Sequence, residues 1–378
     1  MLPHIPSALS LSLSTVDVTA YRRVGVGVGF AAGAALSVVA LLWMLLVLTG
    51  HDAGRALGAF WAGSFGSGYA VASATMVRAI PLILAGLAVA VAFRAGVWNI
   101  GAEGQLLVGA AAASAVGLHL GEQLGGLALI PALIAGAAAG ALLAGIAGLL
   151  RARFGVLEII STIMLNFVAL HLVGYLVRGP LQEPTGLYPQ SATLLLAARL
   201  PIILPDTRLH WGIIIAALTA VSLWAALRFT AAGFRVRAVG ANPVAARIAG
   251  SIDVGATTFA AFLVSGALAG IAGGVEVTGV TYALYEGLSP GYGYTAIAVA
   301  LLARLHPLGI LITGTLLGAL QAGGAAMQRD AGVPSVLVSI VEAVLILAMV
   351  SGARRPPLAR ARWAGVGDDT RARSATTT

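Results

Sequence analysis

The chain has no cysteine and, read position by position, no lysine: all 22 of its basic residues are arginine. Without thiols it has no disulfides, thiolate metal sites, iron–sulfur clusters, cysteine nucleophiles or lipids carried on cysteine. Without lysine, neither a GxxxxGK[ST] phosphate loop nor a lysine Schiff base can form. If ATP drives this protein, a separate chain hydrolyses it. Charge is scarce as well, at 10% of residues, and aromatics make up 6%. What remains is 59% hydrophobic with a mean hydropathy of +0.96. That excludes a set of soluble domains and points to a bilayer. The 49 glycines lie among alanine, leucine and valine runs with no G-X-Y period, which excludes collagen and low-complexity disorder.

Crossing about 30 Å of hydrocarbon takes roughly 20 apolar residues, and Val24–Leu48 supplies such a run without a charge. Residues 1–20 lack the order of a signal peptide, so this first span is expected to be retained. Further spans are expected at residues 79–93, 104–119, 126–149, 156–177, 211–228, 255–280, 293–303, 308–327 and 334–352. The expected fold is all-α: a polytopic membrane protein with about ten transmembrane helices, some of them discontinuous. It divides into a cytoplasmic segment 1–23, a membrane domain 24–352 and a disordered cytoplasmic tail 353–378.

Arginine placement orients the chain, because short cytoplasmic loops carry the excess. With both termini cytoplasmic, Arg22, Arg23, Arg94, Arg151, Arg153, Arg228, Arg235, Arg237, Arg247, Arg304 and the tail arginines fall inside. Only Arg55, Arg78, Arg178, Arg199, Arg208 and Arg329 fall outside. This dispersal also explains the net charge of +8 better than nucleic acid does, since no basic stripe forms. Small residues recur every fourth position in Gly136…Gly140, in Gly266, Gly270 and Gly274, and in Gly314…Gly318, a spacing that lets helix backbones approach closely.

Polar residues interrupt the membrane pattern in three places. In Phe93–Gln105, glycines at 96, 101 and 104 break the apolar run and Asn99, Glu103 and Gln105 add polar groups, so a helix is expected to break there. Glu158 and Asn166, eight residues apart in the fifth span, fall within about 80° of each other on a helix. Glu158 also suits the membrane surface, five residues after Arg153. The third place is the cytoplasmic segment 229–250, where Asn242 can cap a short helix whose first position is Pro243. The histidines are scattered and no cluster has metal-ligand spacing, so neither a metal nor another cofactor, nor an enzyme's active site, is expected.

Taken in order, FRAGVWNIGAEGQ, EIISTIMLNFVALHLVGYL, GFRVRAVGANPVAARIAG, SGALAGIAGG and GYGYTAIAVALLARLHPLGI resemble the permease subunits of bacterial ABC importers of the branched-chain amino acid, ribose and nucleoside group, above all the simple-sugar and nucleoside branch. The resemblance covers roughly residues 80–350. It implies two pseudo-related halves in the bacterial cytoplasmic membrane, alternating access without chemistry, and a docking segment for an ABC ATPase subunit built from Arg235, Arg237, Gly240, Asn242, Pro243, Ala246 and Arg247. The family commonly has an acidic residue after the Asn-Pro, where this chain has Val244. The implied partners are that ATPase, an extracytoplasmic substrate-binding protein, and a second permease, either a homologous chain or a second copy. Asn99, Glu103, Gln105, Glu158 and Asn166 are then expected to line the path, and Trp98, Phe167 and Tyr292 are aromatics suited to stacking on a base. Nucleosides are the expected substrate, with simple sugars and branched-chain amino acids behind them. An ion-coupled secondary transporter is the rival class.

Overall fold

The computed structural model describes residues 46–334 apart from Ser251, together with a few residues on either side. The expected first and last spans lie largely outside the described residues, and segments 1–23 and 353–378 lie wholly outside them.

Helix α1 is Ala53–Ser64, capped by the Asp52 carboxylate. Helix α2 is Gly68–Arg94. Pro81 removes one of its internal hydrogen bonds, and wide π turns at Val71–Met76 lie just ahead of it. Helices α3 (Ala102–Leu124) and α4 (Leu129–Phe154) form one 53-residue helical run interrupted by a 3₁₀ turn. Gly125 takes a φ of 53° at the turn, and the two helices then lie side by side, with Gly136 of α4 against the Gly109 carbonyl of α3. Helix α5 is Glu158–Arg178 and α6 is Gly212–Phe229. Two short helices follow, α7 (Ala231–Ala241) and α8 (Pro243–Gly250). Helix α9 is Val254–Thr281, ending in π turns at Val277–Thr281; α10 is Tyr292–Leu302 and α11 is Pro307–Ala331.

Among the described residues six helical stretches are long and apolar enough to cross a membrane, and one of these is the 53-residue α3–α4 run. The expected spans between 79 and 327 each coincide with a helix. The segment expected at 79–93 is the second half of a longer one, and α10, at 11 residues, is too short to cross alone.

Burial follows sequence chemistry. From Ala79 to Ala92, α2 is buried on every side, as befits a helix apolar all round. Helix α4 instead buries a seam of Ala132, Gly136, Gly140 and Ala144 while Ile134, Leu142 and Ile146 face outward. That seam meets α9: Gly140 lies against the Gly266 carbonyl and Gly270 against the Gly136 carbonyl, so close that a Cβ on Gly140, Gly266 or Gly270 would overlap backbone. The four-residue spacing read in the sequence is therefore a backbone-to-backbone contact, where van der Waals packing holds the helices together. Gly318 does the same against Ala79 of α2, and Gly314 makes room for the Ile83 side chain.

Candidate functional site

After Arg94 the chain turns back on itself. Gly96 adopts φ 75°, and Asn99 lands beside the middle of α9. The Asn99 side chain is fully buried and fully used. Its Nδ2 donates to Gln105 Oε1 (3.0 Å) and Ser265 Oγ (2.9 Å), and its Oδ1 accepts from Gln105 Nε2 and the Gly101 amide (both 3.0 Å). Ser265 Oγ in turn donates a hydrogen bond to the Ala88 carbonyl of α2. Asn166 of α5 accepts from the Gly104 amide at 2.9 Å and donates to the Ile100 carbonyl and the Tyr294 hydroxyl. Glu103, buried at the first turn of α3, accepts at 2.7 Å from the Gly293 amide at the first turn of α10. A carboxylate between two helix N-termini meets both positive dipole ends and otherwise orphaned N–H groups. Four of the five residues expected to line a path thus form one buried knot joining α2, α3, α5, α9 and α10. Glu158 stands apart from it, paired with Arg151 at 3.2 Å near the end of α4.

A second polar site lies beside the knot, toward the end of the bundle away from α7 and α8. Ser73, Val77, Arg78, Arg208, Glu276, Val280 and Tyr292 enclose a cavity of about 110 Å³. Both sets of π turns border it, one through Ser73 and the other through Val280. Glu276 is buried, and both Arg78 and Arg208 act on it electrostatically. The ion pairs among the described residues are Arg151–Glu158, Arg178–Glu286 and Arg329–Asp330, so neither arginine is in contact with Glu276. The Arg208 amide donates to Ser73 Oγ, fixing the 179–211 segment over the cavity. Two residues on, buried His210 packs against Gly212 and Gly279; burial, then the charge of Arg208, push it down to about 4. Sequence reading missed Glu276. The available signal was a single carboxylate inside an apolar span of 28 residues.

The third element is the α7–α8 pair. Asn242 ends α7 and caps α8, accepting from the amides of Val244 and Ala245 at 3.0 Å. Gly240 lies directly on the Arg94 carbonyl, with Gly96 beside it. Of the residues expected to meet an ATPase, Arg235, Gly240, Asn242, Pro243 and Arg247 are exposed, Arg237 is half-buried and Ala246 is buried against Val239 and Ile252. Of the three aromatics, Tyr292 alone lines the cavity; Trp98 packs on Phe93, and Phe167 faces outward. Among the described residues no cluster of His, Asp or Glu could hold a metal ion.

Residues 71–350 match the family described as branched-chain amino acid transport system / permease component. The chain is 42% identical over 330 residues to the guanosine ABC transporter permease protein NupP of Bacillus subtilis, covering 85% of this chain and 90% of that protein. It is 40% identical to the glucose ABC transporter permease protein TsgB13 of Haloferax volcanii (73% and 75% covered). It is 34% identical to the nucleoside ABC transporter permease protein NupB of Lactococcus lactis (70% and 75% covered). No solved structure matches the chain. The chain belongs to this permease family, within its nucleoside and sugar branch, and is a multi-pass membrane transport component whose ATPase activity resides in a separate subunit.

Proposed function

We propose that this permease imports a nucleoside through the Glu276 cavity, by alternating access driven from α7 and α8. Ten crossings place both termini and the α7–α8 pair in the cytoplasm, where Arg235, Arg237, Gly240, Asn242, Pro243, Ala246 and Arg247 form the ATPase contact. The substrate-binding protein delivers from the opposite face, a second permease, identical or homologous, completes the pathway, and this chain is itself built of two pseudo-related halves.

The observation that carries this reading is a buried carboxylate facing a cavity between two arginines that do not touch it. A carboxylate accepts two vicinal ribose hydroxyls, guanidinium groups donate to ring oxygens and base carbonyls, and Tyr292 offers a ring face. At about 110 Å³ the cavity takes a few waters, each sharing about 30 Å³ of liquid volume, and is too small for a nucleoside. It therefore has to widen for transport. The knot stands on its cytoplasmic side: Tyr292 lines the cavity, while its neighbours Gly293 and Tyr294 are bonded to Glu103 and Asn166. Asn99, Glu103, Gln105 and Asn166 close the path there, and Glu158 belongs to the cytoplasmic surface. A contiguous chain of contacts runs from α7 through Gly240 to Arg94 and Gly96, and then within a few residues to the knot. Movement of the docked helices would reach the cavity along it.

A hexose is the second reading, favoured by the likeness to the glucose permease and by the same hydroxyl chemistry. Uptake of labelled guanosine, glucose and leucine, in cells carrying the ATPase and binding protein with and without this chain, separates these. Guanosine uptake that needs the chain and stops on ATP depletion is expected. Glucose or leucine uptake overturns the substrate, and uptake that survives ATP depletion but collapses with the proton gradient overturns the class.

A further inference from the structure

We propose that the arginine-lined cavity between α2, α6, α7 and the start of α11 binds the headgroup of an anionic phospholipid. Arg94, Trp224, Leu227, Arg228, Arg237, His306 and Pro307 enclose about 280 Å³. Three guanidiniums converge there, and Arg94 and Arg237 are close enough to repel each other. None of the ion pairs among the described residues involves them. The Nη1 of Arg237 is buried without a hydrogen-bond partner. Leaving such a group without a partner is costly, above all when it is charged, so the wall is built for an anion that the chain itself does not supply. His306 is occupied, its Nδ1 accepting from the Gly309 amide to cap α11. The positive end of that 25-residue helix adds to the field.

Position and wall chemistry favour a lipid over a free anion. The cavity lies where α2 and α6 end and α11 begins, against the middle of α7, which places it at the level of a membrane surface, and basic pockets between helices at that level hold anionic headgroups. Its other walls are apolar, Trp224, Leu227 and Pro307. Alongside, α6 presents Leu218, Val221 and Phe229 outward, a surface on which acyl chains can lie. Phosphate oxygens meet the arginines bidentately. A headgroup there holds α7 against Arg94 from below, whatever solute is moved.

The full complex with its ATPase, in nanodiscs, is titrated with phosphatidylglycerol against phosphatidylcholine, lipid occupancy being read by native mass spectrometry. Phosphatidylglycerol is expected to bind at least tenfold more tightly than phosphatidylcholine, and the preference should disappear in an Arg94→Gln/Arg228→Gln variant while Arg94→Lys/Arg228→Lys retains most of it. In the unaltered complex, the preference should weaken as salt rises from about 0.05 to 0.5 M; this arm stands even if the glutamine variant fails to fold. A preference that survives the glutamine changes, or that ignores salt, overturns the site. Displacement of the lipid by millimolar inorganic phosphate or AMP assigns the cavity to a free phosphate compound instead. Binding seen only after the ATPase is stripped away assigns it to a carboxylate of that subunit, and either result overturns the lipid. Each of these readouts is independent of which solute is transported.

Discussion

The Asn99 knot and the Glu276 cavity adjoin through Tyr292, are both buried, and are both rich in polar groups, yet they solve burial in opposite ways. In the knot every amide group of Asn99 has a partner, and Glu103 and Asn166 bond to backbone that would otherwise be orphaned at helix starts. In the cavity, Glu276 and its two arginines stand off from one another around open space. A saturated network rigidifies and specifies one arrangement, whereas groups left short of partners exert their field on whatever enters. Polarity inside a membrane protein is thus no single signal, and the partner count separates scaffold from site.

The strongest way to break this contrast is Asn99→Leu. It strands the Gln105 side chain and the Gly101 amide at about 1–3 kcal/mol each and leaves Ser265 only its bond to the Ala88 carbonyl, so folded protein should be nearly lost, as read by yield and by thermal unfolding in detergent. A stable Asn99→Leu protein would show that the knot is not a scaffold. Glu276→Gln should do the reverse, keeping the melting temperature within a degree or two while uptake falls tenfold or more, mainly through a higher KM. If Glu276→Gln unfolds the protein instead, the carboxylate is structural and the contrast fails.

A pH series sharpens it at the rim of the cavity. His210, held down to about 4 from an ordinary value of 6.5, stays neutral when folded while the unfolded chain takes up a proton below pH 6.5. Stability contributed there is complete above pH 6.5 and declines as pH falls toward 4, by about 1 kcal/mol at pH 5.5. Hydrogen exchange over 179–212 should quicken accordingly, and His210→Phe should flatten the dependence. The smallest effect is expected at Glu158→Gln. Its pair with the half-exposed Arg151 is worth about 1 kcal/mol or less, and uptake should be unchanged; a transport defect there would return Glu158 to the path.

Much of this was legible along the chain. The apolar runs between 79 and 327 located the long helices, Gly96 and Gly101 marked the break, and Asn242 before Pro243 announced a capped helix. Each depends on neighbours in sequence. Glu276 escaped because one carboxylate scarcely lowers the average of so apolar a span, and Arg78 passed for an ordinary loop charge. The α7 helix was missed because its polar pattern has no clear face and Gly233 and Gly240 weaken it; the first packs on Leu227 and the second on the Arg94 carbonyl.

Composition and hydropathy by themselves determined that this is a helical membrane protein without thiol chemistry or a phosphate loop of its own, because those properties are sums over the chain or absences from it. Which polar residues are partnered and which face open space was decided only in three dimensions. Asn99 reaches Ser265 across 166 positions and Glu103 reaches Gly293 across 190, and a hydrogen bond spans about 3 Å. Only helix packing brings such residues within that range.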